Sequence, residues 1–264
     1  PTFSPAYRLQ VVDGGRLLHT GQGLWAEQTR QHLVDLVTGR DLAITAPLAA
    51  YLKADPARFP NDKPDPFPRY MIQALTSYDT ASKTAGLLVL EGYAAPNGRA
   101  LYFHWDLSLG RITAAHELGR KTSKTGWIAV RPVGYSPTRR ETYVMTMKSE
   151  AAGAPQGDYQ VSLYAVGARK RLVASFPAHR PDTEGPFFDP ATHRVAVVEY
   201  RELDTDPQPF VHLVDLVTGV RTQVKVPLVT YGLAFDPDGR TIHVFSSKRG
   251  EVWSIDLESG NALR

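Results

Sequence analysis

Two polar segments of the chain combine residue types that bind charged ligands or move protons. The segment His179 to Gly185 holds a histidine, an arginine and the acids Asp182 and Glu184, a mixture that suits acid–base catalysis or an anionic ligand. Gly119 to Gly126 is basic and bounded by glycines, so its charges can hold a phosphate or a carboxylate. The basic segment lacks the spacing of a P-loop and no helix follows it, and a plain polar loop is the favoured interpretation of both segments.

A third segment carries alternating acids. Asp204 and Asp206 follow Arg201 and Glu202, and two carboxylates at alternate positions can ligate Ca²⁺ or Mg²⁺. A cation loop needs more oxygen ligands and a glycine at its turn, which this segment lacks. The elbow of serine hydrolases, the zinc-protease helix motif, the dinucleotide fingerprint and the Walker motif are also absent from the sequence. The sequence therefore predicts no metal, no cofactor and no catalytic set.

The composition limits the classes of function. The 264 residues are 42% hydrophobic and 22% charged, which is typical of a folded globular chain, and there is no cysteine for disulfides or thiolate chemistry. A net charge of +3 is too small to predict nucleic-acid binding without a basic cluster. No apolar run is long enough to span a membrane. Because the chain starts at Pro1, we expect a processed or trimmed product, the alternative being part of a longer or membrane-tethered chain.

An eight-residue segment occurs twice in the chain. His32 to Gly39 reads HLVDLVTG, and His212 to Gly219 repeats it letter for letter. An identical strand-like segment at two distant places indicates an internal structural repeat. His32 and His212 lie on the packing face of this segment, so we expect both to be buried, hydrogen-bonded histidines rather than ligands.

Alignment on the aspartate of this octet gives five related units. The residues placed in register are Asp35, Asp106, Ala165, Asp215 and Asp256. The residues on either side of this position are apolar in every unit, as expected for one face of a strand. An aspartate followed four residues later by glycine predicts a tight turn between two strands. Each unit then reads as four antiparallel strands over about 40 to 50 residues, with no helix.

The last units resemble a known family. Phe235 to Arg240 reads FDPDGR, and Val252 to Gly260 follows it as VWSIDLESG; together they resemble the WD40-like repeats of bacterial TolB-type and YVTN-type propellers. The resemblance implies an all-β propeller of four-stranded antiparallel blades, with five blades predicted and six as the alternative. Residues 1–264 are then one domain with a proline-rich insertion at 48–68. Residues 7–12 are assigned to the inner strand of the first blade, the alternative being that residues 5–12 complete the last sheet.

Ligands of propellers bind on the face that carries the long loops. The segments expected on that face are 48–68, 94–99, 119–126, 150–158, 177–186, 201–209 and 227–231. The residues predicted to form the ligand-binding or partner-binding face are Arg58, Lys63, Arg120, Lys121, Lys124, His179, Arg180, Asp182, Glu184, Arg201, Glu202, Asp204, Asp206 and Tyr231.

A rigid ring with variable loops predicts a non-enzymatic recognition or assembly module that binds a protein or peptide partner, and we expect no enzymatic activity. The alternative is a propeller hydrolase acting on carbohydrate or phosphate esters, with Asp182, Glu184, Asp204 and Asp206 converging near the funnel. The lack of cysteine and the resemblance to exported bacterial propellers favour a periplasmic or extracellular location over a cytoplasmic one.

Overall fold

The computed structural model describes residues 8–12, 17–21, 31–40, 70–79, 83–91, 98–106, 108–120, 128–149, 158–179, 181, 185–203, 206–226, 232–246, 250–259 and 261–263. Over these residues the chain consists of strands and turns, and they include no helix that could cross a membrane. The chain divides into two compact units, Pro1–Ser123 and Lys124–Arg264. The single domain expected from the sequence stays a prediction.

The first unit contains two antiparallel sheets. The first sheet has the order β1-β2-β3, and the second has the order β4-β5-β6-β7. Their strands are β1 Arg8–Val12, β2 Leu17–Gly21, β3 Gln31–Asp35, β4 Tyr70–Asp79, β5 Thr84–Glu91, β6 Arg99–Asp106 and β7 Arg111–Arg120.

The second unit contains three four-stranded sheets. In the third sheet β8 to β11 follow one another, in the fourth β12 to β15, and in the fifth β16 to β19. The strands are β8 Ile128–Ser136, β9 Glu141–Ser149, β10 Asp158–Val166, β11 Lys170–His179, β12 Phe187–Asp189, β13 Arg194–Leu203, β14 Asp206–Asp215, β15 Arg221–Lys225, β16 Gly232–Phe235, β17 Thr241–Ser246, β18 Glu251–Asp256 and β19 Ala262–Leu263.

Every sheet is an antiparallel meander of consecutive strands, as the repeat predicted. The first strand of the chain pairs with β2, with Leu9 opposite Thr20, so the assignment of this segment to the first sheet is confirmed. The fifth sheet is built from its own four strands, with Ile255 opposite Ala262 at its outer edge.

The fourth sheet buries both of its faces. One face presents Val195, Val197 and Val214 to a core that includes Tyr143 and Met145 of the third sheet. The opposite face presents Ala196, Val198, Val211 and Leu213 to a core shared with Ile242, Val244 and Ile255 of the fifth sheet. Because both faces are covered, β13 begins with the unbroken apolar run from Val195 to Val198 instead of an alternating pattern.

The two copies of the octet form the same turn. The Oδ1 atom of Asp215 accepts hydrogen bonds from the N–H groups of Val217 and Thr218, each at 2.8 Å. Asp35 accepts the corresponding bonds at 2.9 and 3.2 Å. Gly39 and Gly219 close the turns at φ of 68° and 79°, where an L side chain is strained. The local sequence therefore determines the conformation of this turn.

Burial distinguishes the two copies. Leu216 is fully buried in the core between the third and fourth sheets, whereas Leu36 at the same place in the first octet is 51% exposed. A Cβ atom added to Gly219 would lie 2.5 Å from the carbonyl oxygen of Val173 in β11, but one added to Gly39 would meet nothing within 4 Å. The neighbouring sheet, and not the octet itself, creates this difference.

The third sheet corrects the sequence alignment. Val166 lies opposite Thr142 and Ala165 opposite Tyr143, so the residue that continues the register to Glu141 is Gly167. The position of the turn aspartate is therefore occupied by Gly167 and not by Ala165. Its N–H group bonds to the carbonyl oxygen of Arg169, two residues on, whereas Asp215 bonds to Val220, five residues on. A shorter turn without the aspartate explains why the octet pattern is lost here.

Turns of adjacent sheets in the second unit contact one another at one end of the strands. Ser136 at the end of β8 hydrogen-bonds His193 of the β12–β13 turn, with Oγ 2.7 Å from Nε2. The guanidinium of Arg194 donates to the carbonyl oxygen of Gly239 in the β16–β17 turn at 3.1 Å. These bonds join the third, fourth and fifth sheets at the end opposite the connections between sheets.

The two octet glycines provide a matched pair of substitutions. Gly39→Ala should cost about 1 to 2 kcal/mol, because alanine must adopt a positive φ. Gly219→Ala should be more destabilising by a further 1 to 3 kcal/mol, roughly, because its Cβ also collides with the backbone of β11. Hydrogen exchange of amides in β3 and β14 measures each cost separately, and equal losses in the two variants would contradict the contact with Val173.

The turn aspartates also predict a pH dependence. Burial raises the pKa of Asp215, but the bonds from Thr218 and Val217 outweigh it, so its pKa in the folded chain lies below the ordinary value. A lowered pKa means that the charged form stabilises the fold at neutral pH, and that this stabilisation is lost as the pH falls below about 4. We expect Asp215→Asn to be less stable than the wild type at pH 7 and to approach it in acid. A constant difference in urea midpoint from pH 7 to pH 3 would contradict this.

Candidate functional site

An acid and a histidine are buried together between the third and fourth sheets. Glu199 of β13 and His212 of β14 are only 2% and 1% exposed. His212 lies opposite Val197 in the strand register, so Glu199 is its diagonal neighbour on the same face of the sheet. That face contacts the third sheet, and Phe176 of β11 stacks on the His212 ring with centroids 4.7 Å apart.

The two carboxylate oxygens of Glu199 have different partners. Oε2 contacts Nε2 of His212. Oε1 accepts a hydrogen bond of 3.1 Å from the backbone N–H of His179, the last residue of β11. An antiparallel bridge also pairs Pro181 with Glu199. Glu199 thus connects its own sheet to the segment that leaves the third sheet.

The hydrogen bonds determine the tautomer of His212. Its Nδ1 atom is buried and has no hydrogen-bond partner among the residues that the structure describes. A proton on Nδ1 would leave a buried donor unsatisfied, so the ring carries its proton on Nε2 and donates it to Glu199. The carboxylate then receives two N–H donors, which compensates for part of the cost of burying its charge.

Neither buried side chain can contact a substrate directly, because both are enclosed by protein. Glu199 instead contacts His179 and Pro181 of the chain that leaves β11. Residues 180–186 connect β11 to β12, and we call them the crossover. This segment contains the predicted Arg180, Asp182 and Glu184.

Most of the predicted face lies outside the described residues. The predicted residues that the structure does not describe are Arg58, Lys63, Lys121, Lys124, Arg180, Asp182, Glu184, Asp204 and Tyr231. Arg201, Glu202 and Asp206 are described only through their backbone, which pairs Glu202 with Pro207 and Leu203 with Asp206. The prediction of a loop over 201–209 is therefore wrong, since β13 and β14 continue through it and leave only 204–205 as the connection. The predicted loop at 177–186 also begins later, because β11 extends to His179.

Arg120 is the one predicted cation whose side chain is described. It ends β7 and forms a two-point ion pair with Glu117, with Nε–Oε1 and Nη2–Oε2 distances of 3.1 and 2.9 Å. Arg99 approaches the same carboxylate at 3.9 Å. An anionic ligand at Arg120 would have to compete with Glu117, a partner that the sequence analysis missed.

The histidine prediction is confirmed for His212, which is buried and hydrogen-bonded between sheets; the side chain of His32 is outside the described residues. The sequence-based prediction did not include Glu199. The pattern that could have indicated it is a single acid directly after the apolar run of β13. Among the described residues no group of three or more acids, histidines or cysteines could hold a metal ion.

Comparison with known proteins gives matches among solved structures alone. No family model and no curated protein matches the chain. The propeller domain of the trilobed protease from Pyrococcus furiosus matches 97% of this chain with a TM-score of 0.50, at 10% identity and over 67% of that domain's chain. The chain has a β-propeller fold. The TolB-type or YVTN-type character of its repeats stays a prediction.

Two of the similar structures are enzymes. An oligogalacturonate lyase in complex with manganese matches 97% of this chain at 14% identity and a TM-score of 0.55. Puromycin hydrolase matches 99% at 13% identity and a TM-score of 0.56. The chain spans 63% of the lyase and 39% of the hydrolase. The expectation of a non-enzymatic recognition or assembly module is therefore wrong, and so is the expectation that the chain is not an enzyme. A protein or peptide partner has no support in these matches.

The buried pair predicts the effect of a single substitution. His212→Phe keeps a ring beside Phe176 but leaves the Glu199 carboxylate buried without its imidazole donor. We expect a loss of about 3 to 5 kcal/mol in the free energy of unfolding of the second unit.

His32→Phe is the matched control for His212→Phe. It changes the same octet position in β3 of the first sheet. We expect a smaller loss, because the Glu199 carboxylate keeps its imidazole donor. Hydrogen exchange of β14 and β3 amides measures both variants, and similar losses would contradict the importance of the Glu199 charge.

Proposed function

We propose that the chain is the propeller of an enzyme that cleaves glycosidic bonds in acidic oligosaccharides. The observation that carries the proposal is the likeness to oligogalacturonate lyase along 97% of this chain, with a TM-score of 0.55. The substrate named for that protein is an oligomer of a sugar acid. The enzymatic alternative that the sequence offered was a hydrolase acting on carbohydrate or phosphate esters, so carbohydrate chemistry is common to both.

The charges of the chain agree with an anionic substrate. Its net charge is +3 and its isoelectric point is near 9.1. The face predicted from the sequence includes seven arginines and lysines, and a guanidinium binds a carboxylate through two parallel hydrogen bonds. These basic residues are Arg58, Lys63, Arg120, Lys121, Lys124, Arg180 and Arg201.

Asp182 and Glu184 are our candidates for proton transfer. Cleavage of a glycosidic bond requires a group that protonates the leaving oxygen and a second group that removes a proton, from water in hydrolysis or from the sugar in elimination. The crossover supplies two carboxylates close to Arg180 in the sequence. Of the residues that bound this part of the chain, His179 bonds to Glu199 and Gly185 is buried.

A substrate panel tests the proposed function. The full chain is assayed on oligogalacturonate, a neutral oligosaccharide, an aryl amide and an aryl phosphate. Each assay is run with and without Mn²⁺, because the similar lyase structure holds manganese. We expect turnover of the acidic oligosaccharide alone. An unsaturated product would indicate elimination, and a saturated product would indicate hydrolysis. Turnover of only the amide or the phosphate would contradict the proposal.

Substitutions then locate the chemistry. Asp182→Asn and Glu184→Gln should each lower kcat by about 10²- to 10⁴-fold, the usual contribution of a positioned acid or base. Glu258→Gln is the control, because its side chain is 83% exposed and contacts Arg240 in the fifth sheet. It should leave kcat unchanged. Full activity in both crossover variants would remove Asp182 and Glu184 from the proposal.

A further inference from the structure

The crossover between the third and fourth sheets is anchored by the acid that the sequence analysis missed. The N–H of His179 donates to Oε1 of Glu199, and Pro181 forms a bridge with the backbone of the same residue. Arg180 lies between these two contacts along the chain, and Asp182 follows them directly. The position of Glu199 therefore bears directly on the backbone of His179 and Pro181.

We propose that Glu199 and His212 are positioning residues that fix the crossover against the fourth sheet. In this arrangement His212 holds the Glu199 carboxylate through Oε2, which orients Oε1 towards the N–H of His179. The pair thereby fixes His179 and Pro181, the described residues next to Arg180 and Asp182 in the sequence. The link from this position to catalysis rests on the proposed function, whereas the anchoring itself does not.

The internal repeat shows that the fold does not require this pair. The registers of the second, third, fourth and fifth sheets define one position equivalent to Glu199 and one equivalent to His212. In the second, third and fifth sheets the first position holds Val89, Thr146 or Ser246, and the second holds Phe103, Tyr164 or Trp253. None of these three sheets places an acid at the first position. The second sheet uses Val89 and Phe103, both fully buried, and so fills this site by packing alone.

Packing alone does not account for the pair in the fourth sheet. The interface is already closed by Phe176, Val197 and Leu163, all at most 3% exposed. A buried carboxylate costs free energy, and an apolar pair of similar volume is often at least as stable. What Glu199 adds, and valine would not, is an acceptor for the backbone of the crossover. The contacts of Glu199 with His179 and Pro181 thus explain why an ionisable pair occupies this site.

Grafting the apolar pair of the second sheet separates anchoring from packing. The double variant Glu199→Val/His212→Phe reproduces Val89 and Phe103, so we expect the unfolding midpoint to stay close to that of the wild type. Exchange of the His179 amide should accelerate about tenfold or more, because it loses a hydrogen bond to a charged acceptor. The amides of Val197 and Val211 in the interior of the sheet should keep their protection.

Two further variants complete the test. Glu199→Gln retains a side-chain carbonyl for the His179 N–H and should restore most of its protection. His32→Phe changes the same octet position in the first sheet and should leave the His179 amide unaffected. Unchanged exchange at His179 in the double variant would overturn the inference. So would an equal loss of protection at His179, Val197 and Val211, since that would mean general destabilisation.

The activity assay gives a separate outcome. On the acidic oligosaccharide, the double variant should lose kcat more than it raises KM, because the crossover carries the proposed proton-transfer groups. Hydrogen exchange needs no substrate, so accelerated exchange at His179 would support the anchoring even if no oligosaccharide were cleaved. Accelerated exchange together with unchanged kcat would support the anchoring and contradict its link to catalysis.

Discussion

The structure of the second unit depends on one constraint, which is that a central sheet must bury both faces against its neighbours. The fourth sheet meets it with valines and a leucine on one side and with valines, an alanine and a leucine on the other, all at most 5% exposed. Such a sheet excludes water from its strands, so any polar group there needs a partner inside the protein. The constraint explains the apolar run of β13. Glu199, which follows this run, is a buried acid and therefore needs hydrogen-bond partners inside the protein.

The two ends of the second unit are held by different chemistry. At one end, turns interlock through neutral or backbone acceptors, as Ser136 does with His193 and Arg194 with Gly239. At the other end the chain passes between sheets, and there Glu199 contacts His179 and Pro181. The first end uses turns that recur from unit to unit, whereas the contacts of Glu199 come from a residue type that the second, third and fifth sheets do not use at this position.

The sequence predicts what local chemistry determines and misses what distant contacts determine. The octet with Asp215 and Gly219 predicts its turn because the hydrogen bonds join residues two to four apart. The recurrence of the octet pattern also predicts the four-stranded units. It does not predict that Leu216 is buried and Leu36 exposed, since the two residues have identical neighbours in sequence. Gly167 was misplaced because its turn lost the aspartate that guided the alignment, and the partners of Glu199 lie 13 and 20 residues away on other strands.

Internal repeats offer a control that a single sequence otherwise lacks. Five units solve one packing problem, and the residue types they share, such as the turn aspartate in four of them, are explained by the fold. A buried charged residue that only one of the compared units uses, at a position where the others have uncharged residues, costs free energy of burial that the packing of the fold does not explain. Glu199 meets this criterion, because valine, threonine and serine occupy its position in the second, third and fifth sheets. Comparison among the units therefore separates an acid that holds a neighbouring segment from the residue types that the fold itself explains.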